Sequence, residues 1–261
     1  MRIHPSPAGG GIRFIRTDKG CAQIAACRES VVSTERRTGI GADIGGELVT
    51  VSTIEHFMAA CMVAGVFNLL VEIDGPEVPI MDGTAGPFMD LIESAGIVDL
   101  EPEERAFHFE TELLFNRGPF VLVKPYDSPL VASYSWKNGL SEERERQYAR
   151  IDFGDDPMGT FRRELAMARS PCWIPSLEGL QSRGLALGVD LGKNCMPFDA
   201  DGRVVGHVNC PDEAARHKLV DLLGDLALVS GVIHGSVFAH GTGHRDNALV
   251  ASAANLRRAS Q

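Results

Sequence analysis

Residues 216–225 constrain the fold most, because their polar side chains repeat at the period of one regular structure. His217, Asp221 and Asp225 stand four residues apart, so on an α-helix they form one narrow polar stripe. Leucines fall on the opposite side and supply an apolar stripe that can be buried. The pattern predicts a helix over residues 211–229, with a glycine just beyond its end.

His217 and Asp221 have the spacing of two metal ligands, because side chains at i and i+4 can reach one ion from the same helix face. Gly224 lies beside this stripe and would leave it open. The alternative is an exposed helix face on which the two residues form a weak polar pair. The choice depends on what the rest of the chain brings to this helix.

A second helix is predicted over residues 52–65, with Gly65 as its stop. The spacing of Glu55 from Ser52 matches a capping box, in which the Glu side chain reaches back to the cap N–H. In the other interpretation His56 binds a metal and Glu55 takes a proton from metal-bound water. For His56 the alternative is a partly buried helix histidine.

Length, charge and cysteine usage bound the class of protein. The 261 residues allow one large domain or two of ordinary size. The net charge of −10 argues against nucleic acid, whose backbone needs basic patches. Six scattered cysteines favour a reducing compartment. The N-terminus shows no signal peptide, and no run reaches the roughly 18 apolar residues of a membrane span. We therefore expect a cytoplasmic protein without stable membrane insertion.

Both halves of the chain contain a helix with a histidine near its start, followed by a glycine and a strand. The helix at 52–65 precedes a predicted strand at 66–73, and the helix at 211–229 precedes one at 232–239. The similarity between the two halves is weak at the level of single residues. It suggests two related α+β halves that face each other with the two histidines between them.

Five motifs, each weak alone, occur in an order that is specific as a set. The motifs are Ser52-Thr53-Ile54-Glu55-His56, the turn-rich residues 74–83, Leu180-Gln181-Ser182-Arg183-Gly184, the helix from His217 to Asp225, and Gly243-His244. On these motifs the chain resembles the UDP-3-O-acyl-N-acetylglucosamine deacetylases, zinc amidases of lipid A synthesis, over nearly its whole length.

The resemblance implies an α+β fold of two similar domains, each a β-sheet with packed helices, with the helices sandwiched between the two sheets. The domains are expected at residues 1–104 and 105–261, with an insert near 171–200 that shelters the acyl chain. The expected substrate is a small acylated nucleotide sugar, and the expected assembly is a monomer.

The resemblance also implies a catalytic metal site at the domain junction. His56, His217 and Asp221 would hold Zn²⁺, and three protein ligands leave a position open for water. Glu55 would be the general base.

Further residues receive roles from the same resemblance. His244 would stabilise the oxyanion or protonate the leaving amine, and Asp225 would orient it and favour its charged form. Ser170 would donate its hydroxyl to the oxyanion. Lys218 would contact the anionic diphosphate side of the substrate, with Lys124 as a second basic contact. For Lys124 the alternative is a solvated lysine at a strand end.

The chain departs from the family pattern at three places. The family's N-terminal Gly-x-Gly-Leu-His-x-Gly motif has no counterpart here. The family's Thr-Phe-Gly is Ser170-Pro171-Cys172, so no aromatic ring is available to pack on the sugar. We expect residues 170–173 to break regular structure. Residues 37–46 are rich in glycine where the family has bulkier side chains.

These departures leave two alternatives beside the family reaction. One is a divergent paralog that keeps the zinc site and removes another N-acyl group. The other is a non-catalytic binding protein that retains the fold. The complete set of chemistry-bearing residues speaks against the second alternative.

Overall fold

The computed structural model describes residues 1–100, 106–137, 146–253 and 256–258. Across these described ranges, six α-helices pack against several β-sheets in a mixed α+β fold. The helices are α1 (Glu55–Val63), α2 (Gly86–Ala95), α3 (Pro157–Glu164), α4 (Ile174–Gln181), α5 (Glu213–Leu226) and α6 (His244–Ala253).

Sixteen strands form the sheets of these same described ranges. They are β1 (Arg2–Pro5), β2 (Ile12–Arg16), β3 (Ala22–Ala25), β4 (Val31–Ser33), β5 (Gly39–Ile44), β6 (Glu47–Ser52), β7 (Leu69–Ile73), β8 (Ala106–Phe109), β9 (Leu113–Asn116), β10 (Phe120–Pro129), β11 (Val131–Lys137), β12 (Arg146–Asp152), β13 (Pro171–Trp173), β14 (Met196–Phe198), β15 (Val232–His240) and β16 (Leu256–Arg258).

The strands before α2 form two sheets, ordered β1-β7-β2-β3 and β4-β5-β6. Their side chains alternate between core and solvent, as Ile12, Phe14 and Arg16 of β2 do on the buried side. A larger sheet from the second half has the order β12-β11-β15-β10-β9, with β8 pairing β15 and β16. A short parallel pair, β13 and β14, stands apart from it.

The predicted helices that frame the site are present. The polar-stripe helix is α5, which continues as a 3-10 turn over Ala227–Val229. The Glu-His helix is α1, and it begins at Glu55 rather than at residue 52 because β6 extends to Ser52. None of the described helices is long and apolar enough to cross a membrane.

The structure contradicts three local expectations. Residues 170–173 do not break regular structure, because Pro171 begins β13, where its missing N–H suits the start of a strand. The stripe of α5 is not an exposed face, since His217 is 3% and Asp225 0% exposed. Gly224 does not open the stripe to solvent: a Cβ there would stand 2.0 Å from the Glu55 carbonyl oxygen.

Gly224 therefore marks where two helices of different halves touch. α1 and α5 pack closely because residue 224 has no side chain at their crossing. The polar stripe of α5 thus faces the first turn of α1, and both helices lie within the core. This crossing brings the two predicted stretches into one site.

Candidate functional site

The crossing of α1 and α5 places two histidines and an aspartate around one point. The rings of His56 and His217 meet edge to face, with centroids 4.9 Å apart. Oδ1 of Asp221 lies 3.6 Å from Nε2 of His56 and 3.3 Å from Nε2 of His217. All three residues are buried, and one ligand atom from each lies within 4.8 Å of the others. Sequence spacing indicated His217 and Asp221, the family resemblance implied the set of three, and the fold brings the three residues together.

The distances and the chemistry of this set fit a zinc ion. Ligand atoms at bond lengths of about 2.0–2.2 Å and tetrahedral angles stand about 3.3–3.6 Å apart. The two distances to Asp221 lie in that interval and exceed the usual length of a good hydrogen bond. Nδ1 of His217 faces the Ala168 carbonyl at 3.5 Å, which directs Nε2 to the centre.

The ionisation of two of these residues suits metal ligation. Burial lowers the pKa of His217 to about 3, so its imidazole is neutral at neutral pH. Burial would raise the pKa of Asp221, but the neighbouring His217 and Lys218 hold it well below its usual value. A neutral imidazole and an ionised carboxylate are the forms that bind a metal.

Glu55 lies beside this centre and is not part of a capping box. α1 has no side-chain cap hydrogen bond. The Glu55 carboxylate instead accepts a hydrogen bond from the backbone N–H of Thr38 at 3.2 Å. The Ser52 hydroxyl bonds the Pro76 carbonyl. Burial raises the pKa of Glu55. One carboxylate oxygen of Glu55 also groups with Asp221 and His244 within 4.8 Å.

His244 and Asp225 form the buried pair that the resemblance implied. Nδ1 of His244 lies 3.0 Å from Oδ2 of Asp225, which also accepts from Asn247 Nδ2 at 2.9 Å. Nε2 of His244 points toward Asp221 at 3.9 Å. Burial would lower the pKa of His244, but Asp225 and Asp221 raise it to about 10. The imidazole is therefore held as a cation next to the centre.

Thr38 is a site residue that the sequence did not reveal. Its hydroxyl donates to Asp225 and its backbone N–H donates to Glu55, so one fully buried residue joins the two acidic groups. It stands in the glycine-rich stretch directly before β5. No local sequence pattern indicates this role, because it depends on the position of Thr38 in the fold, between Glu55 and Asp225.

The acidic loop after β7 fixes the approach to α1. The carboxylate of Glu77 accepts from the Thr53 hydroxyl at 2.6 Å and from Arg37 at 3.1 Å. Thr53 has a φ of +59°, a backbone conformation that costs energy outside glycine. The Glu77 contact holds that turn, which aims Glu55 and His56 inward.

The two predicted basic contacts lie in different surroundings. Nζ of Lys218 bonds Asp221 at 2.8 Å. Burial would lower the pKa of Lys218, but Asp221 and Tyr134 raise it. Lys124 lies on β10 with its side chain 55% exposed, and its ammonium stands 3.9 Å from Glu112. The structure brings Lys218 into the cluster and leaves Lys124 at the surface.

Ser170 connects the site to a buried ion pair. It follows Arg169, whose guanidinium bonds Glu213 at the start of α5. The Ser170 carbonyl accepts from Met196 of β14 at 2.8 Å. Ala168, two residues earlier, faces His217. The segment from Ala168 to Ser170, which leads into β13, therefore runs past the metal-ligand set.

A cavity of about 710 Å³ lies elsewhere in the described part of the molecule, beyond the far end of α1. It is lined by Gly65 and Val66 after that helix and by His4 and His234. None of the clustered residues lines it. The candidate site is therefore located by its chemistry and not by this cavity.

Comparisons with known proteins agree on one family. The sequence model of the UDP-3-O-acyl N-acetylglycosamine deacetylase family matches residues 1–254. A UDP-3-O-acyl-N-acetylglucosamine deacetylase of Myxococcus xanthus is 34% identical over 253 residues, 95% of this chain and 76% of that protein. Deacetylases of the same name from Syntrophus aciditrophicus and Nautilia profundicola are 31% and 32% identical, over 97% and 96% of this chain and 78% and 82% of those proteins.

Proposed function

The chain belongs to the UDP-3-O-acyl-N-acetylglucosamine deacetylase family, and from that membership we propose how its own residues perform the reaction. It is a zinc amidohydrolase of lipid A biosynthesis. The observation that carries the assignment of residues is the convergence of His56, His217 and Asp221 in one buried cluster. The proposed substrate is the UDP-3-O-acyl sugar, and the products are the free amine and acetate.

His56, His217 and Asp221 would hold the zinc ion. When bound, zinc polarises a carbonyl oxygen and activates water for attack. Ala168 keeps Nε2 of His217 available by facing its Nδ1. Lys218 neutralises the second carboxylate oxygen of Asp221 and leaves the first directed at the histidines.

Glu55 would take the proton from the attacking water. A carboxylate oxygen of Glu55 lies within 4.8 Å of ligand atoms of Asp221 and His244. The hydrogen bond from the Thr38 backbone N–H fixes the orientation of this carboxylate. General bases act from hydrogen-bond distance of the proton they remove, and a buried carboxylate next to the ligand set meets that requirement.

His244, which is held in its protonated form, would donate its own proton to the leaving amine or stabilise the developing oxyanion, with Asp225 holding the ring in place. Ser170 would add a hydroxyl donor to the oxyanion. Lys218 and Lys124 would contact the diphosphate side of the substrate. The exposed position of Lys124 suits a contact at the outer end of a long ligand.

The remaining architectural assignments are part of the same proposal. Residues 1–104 and 105–261 would be two similar domains with their helices between the sheets, and α1 packing on α5 supports this arrangement. The segment near 171–200 would shelter the acyl chain. We propose a cytoplasmic location, because the described cysteines are all free thiols, and a monomer, as the family resemblance implies.

A second candidate is a paralog that uses the same centre on another N-acyl substrate. Pro171 favours it, because a proline has no aromatic ring face to pack on a sugar. The test is a zinc analysis of the purified protein together with an acetate-release assay on the UDP-3-O-acyl sugar. We expect one zinc per chain and acetate release. Zinc without acetate release would support the paralog, and the absence of both would support a binding protein.

A further inference from the structure

Three hydrogen-bond donors converge on the Asp225 carboxylate, and two of them come from residues outside the proposed catalytic set. Asp225 is 0% exposed, so its oxygens depend on the protein for partners. The Thr38 hydroxyl donates to Oδ1, while His244 Nδ1 and Asn247 Nδ2 donate to Oδ2. No other side chain among the described residues donates to Oδ1. Thr38 and Asn247 therefore hold the carboxylate that in turn holds His244.

The ends of two helices work against this pair of charges. Asp225 lies in the last turn of α5, where the helix carbonyl groups disfavour a negative charge. His244 is the first residue of α6, where the helix N–H groups disfavour a positive charge. Additional donors to the carboxylate offset the first of these effects, because each places a partial positive charge beside it. The hydroxyl of Thr38 and the amide of Asn247 supply two such donors.

Asn247 binds Asp225 from within the helix that carries His244. It stands three residues after His244, so both side chains leave the same face of α6 and reach the same oxygen, Oδ2. Asn247 is buried, and its Oδ1 accepts a hydrogen bond from the Thr242 hydroxyl at 3.3 Å. Both polar atoms of the amide are thus bonded, which fixes the direction of the N–H that Asp225 accepts.

Thr38 connects this group to Glu55 on the other helix of the crossing. Its backbone N–H donates to Glu55 at 3.2 Å, and its hydroxyl donates to Asp225. The next residue, Gly39, pairs with Ser52 of β6, so the sheet holds the Thr38 backbone in place. Because both donors belong to one buried residue, Thr38 sets the spacing between a carboxylate on α1 and a carboxylate on α5.

We propose that Thr38 and Asn247 are positioning residues for the deacetylation, and that both act on the His244 ring through Asp225. This inference rests on the proposed roles of Glu55 and His244. Both positioning residues are buried, so they act without contacting the substrate. Loss of either donor would let Asp225 turn toward its remaining partners, and Nε2 of His244 would lose its direction toward the centre. Small displacements of a reacting group are costly, up to roughly 100-fold in rate.

The kinetic test uses substitutions that remove one donor and keep the size of the side chain. Thr38→Val loses the hydroxyl but keeps the backbone N–H to Glu55, and Asn247→Leu loses the amide. In the zinc-loaded full-length protein, each should lower kcat on the UDP-3-O-acyl sugar by roughly 10–100-fold with little change in KM. Thr38→Ser keeps the hydroxyl and should retain most of the wild-type rate. Zinc content should stay that of the wild type in all three variants.

A second measurement follows the His244 ring directly and needs no turnover. In protein labelled with ¹⁵N-histidine, the buried Nδ1 proton of His244 should give a slowly exchanging NMR signal at low field. His244→Gln identifies this signal by removing it. Thr38→Val and Asn247→Leu should shift the signal and speed its exchange with water, because Asp225 no longer holds the ring in one orientation. Thr38→Ser should preserve the signal.

Thr84→Val is the matched control, because Thr84 is also buried and its hydroxyl also donates to an aspartate, Asp82, at 2.7 Å. It should change neither kcat nor the His244 signal. Circular dichroism identifies the folded variants. An unchanged His244 signal in folded Thr38→Val or Asn247→Leu would overturn the positioning role of that residue, as would equal effects in Thr84→Val. Absence of acetate release from the wild type would refute the proposed function instead, and the His244 signal would still decide this inference.

Discussion

Two buried ionic clusters lie next to each other around α5, and they differ in how completely the protein satisfies them. At the start of the helix, both carboxylate oxygens of Glu213 accept from Arg169 or from the Asn209 backbone. The remaining Arg169 donors bond the carbonyls of Gly192 and His207 at 2.7 Å. About two turns further along α5, Asp221 Oδ1 faces two imidazole nitrogens at distances too long for good hydrogen bonds.

The difference separates a structural cluster from a reactive one. A buried charge is costly unless paired, so Arg169 and Glu213 remain stable only because each polar atom has a partner. The His56, His217 and Asp221 set directs its acceptor atoms at one another, which is favourable when a cation lies between them. The same helix thus carries a saturated pair that positions the chain and an unsaturated set that we propose to hold zinc.

The largest expected effect comes from removing one proposed metal ligand, the imidazole of His217. His217→Ala should lose stoichiometric zinc, and activity should fall by more than the roughly 10–100-fold that loss of an outer partner costs. Zinc is measured by plasma mass spectrometry on the purified variant. His4→Ala, at an exposed histidine, is the matched control and should keep both. Stoichiometric zinc in His217→Ala would remove this residue from the ligand set.

The second prediction concerns Glu55→Gln, a variant that should lower turnover without loss of zinc. Glu55→Gln keeps the size of the side chain and its hydrogen bond from Thr38, but it cannot take a proton. Turnover should fall by roughly 10²–10⁴-fold while zinc stays bound. Glu47→Gln, at an exposed carboxylate, should change neither quantity. Near wild-type turnover in Glu55→Gln would leave Glu55 as a structural residue.

The third prediction concerns the saturated pair. Arg169→Met leaves Glu213 buried without its partner, and this should cost about 3–5 kcal/mol in the free energy of unfolding. The double variant with Glu213→Leu should recover much of that loss, because no charge then remains buried. Urea unfolding measures both. Equal losses in the single and double variants would show that the pair is not the source of the stability.

The fourth prediction uses the opposite pKa shifts of two site histidines in chelator-treated protein. The folded pKa of His244 is about 10 and the unfolded value about 6.5, so its stabilisation is full below pH 6.5 and decreases as pH rises toward 10. The free energy of unfolding should therefore fall by about 2 kcal/mol between pH 6.5 and 8. For His217, with a folded pKa of about 3, stabilisation is full above pH 6.5 and is lost as pH falls.

Urea unfolding across pH tests this in the wild type and in Asp225→Asn. The variant removes the charge that raises the pKa of His244, so the alkaline loss should become smaller, while the acid limb set by His217 should remain. A pH profile that is the same in both proteins on the alkaline side would exclude the pairing as its cause.

The two clusters also show what local sequence can predict. The stripe of α5 follows from a four-residue spacing, and helical geometry alone puts His217, Asp221 and Asp225 on one face. The role of Thr38 depends on contacts with α1 and α5, so no local pattern contains it. The same holds for Arg169 and Glu213, which are 44 residues apart and meet only through the fold.

Two local patterns misled for physical reasons. The Ser52–Glu55 spacing suits a capping box, but Thr53 adopts a positive φ, and the helix starts only at Glu55. Proline at 171 suggested a break, but it starts a strand whose partner β14 lies beyond α4. In each case a contact from a distant segment outweighed the local preference.

The smallest expected effect is at Pro171, the first residue of β13, which stands two residues after Arg169. Pro171 shares its strand face with Trp173, which stacks on Phe198 at 4.8 Å, so the ring of a phenylalanine at 171 would extend an existing aromatic surface. Such a contact is worth about 0.5–1.5 kcal/mol, or up to roughly tenfold in kcat/KM. Pro171→Phe should therefore raise kcat/KM on the UDP-3-O-acyl sugar without changing zinc content.

Pro171→Leu, which adds bulk without a ring, is the control. Equal gains in both variants would assign the effect to the loss of proline, and a decrease in Pro171→Phe would show that this strand face is shaped for another ligand.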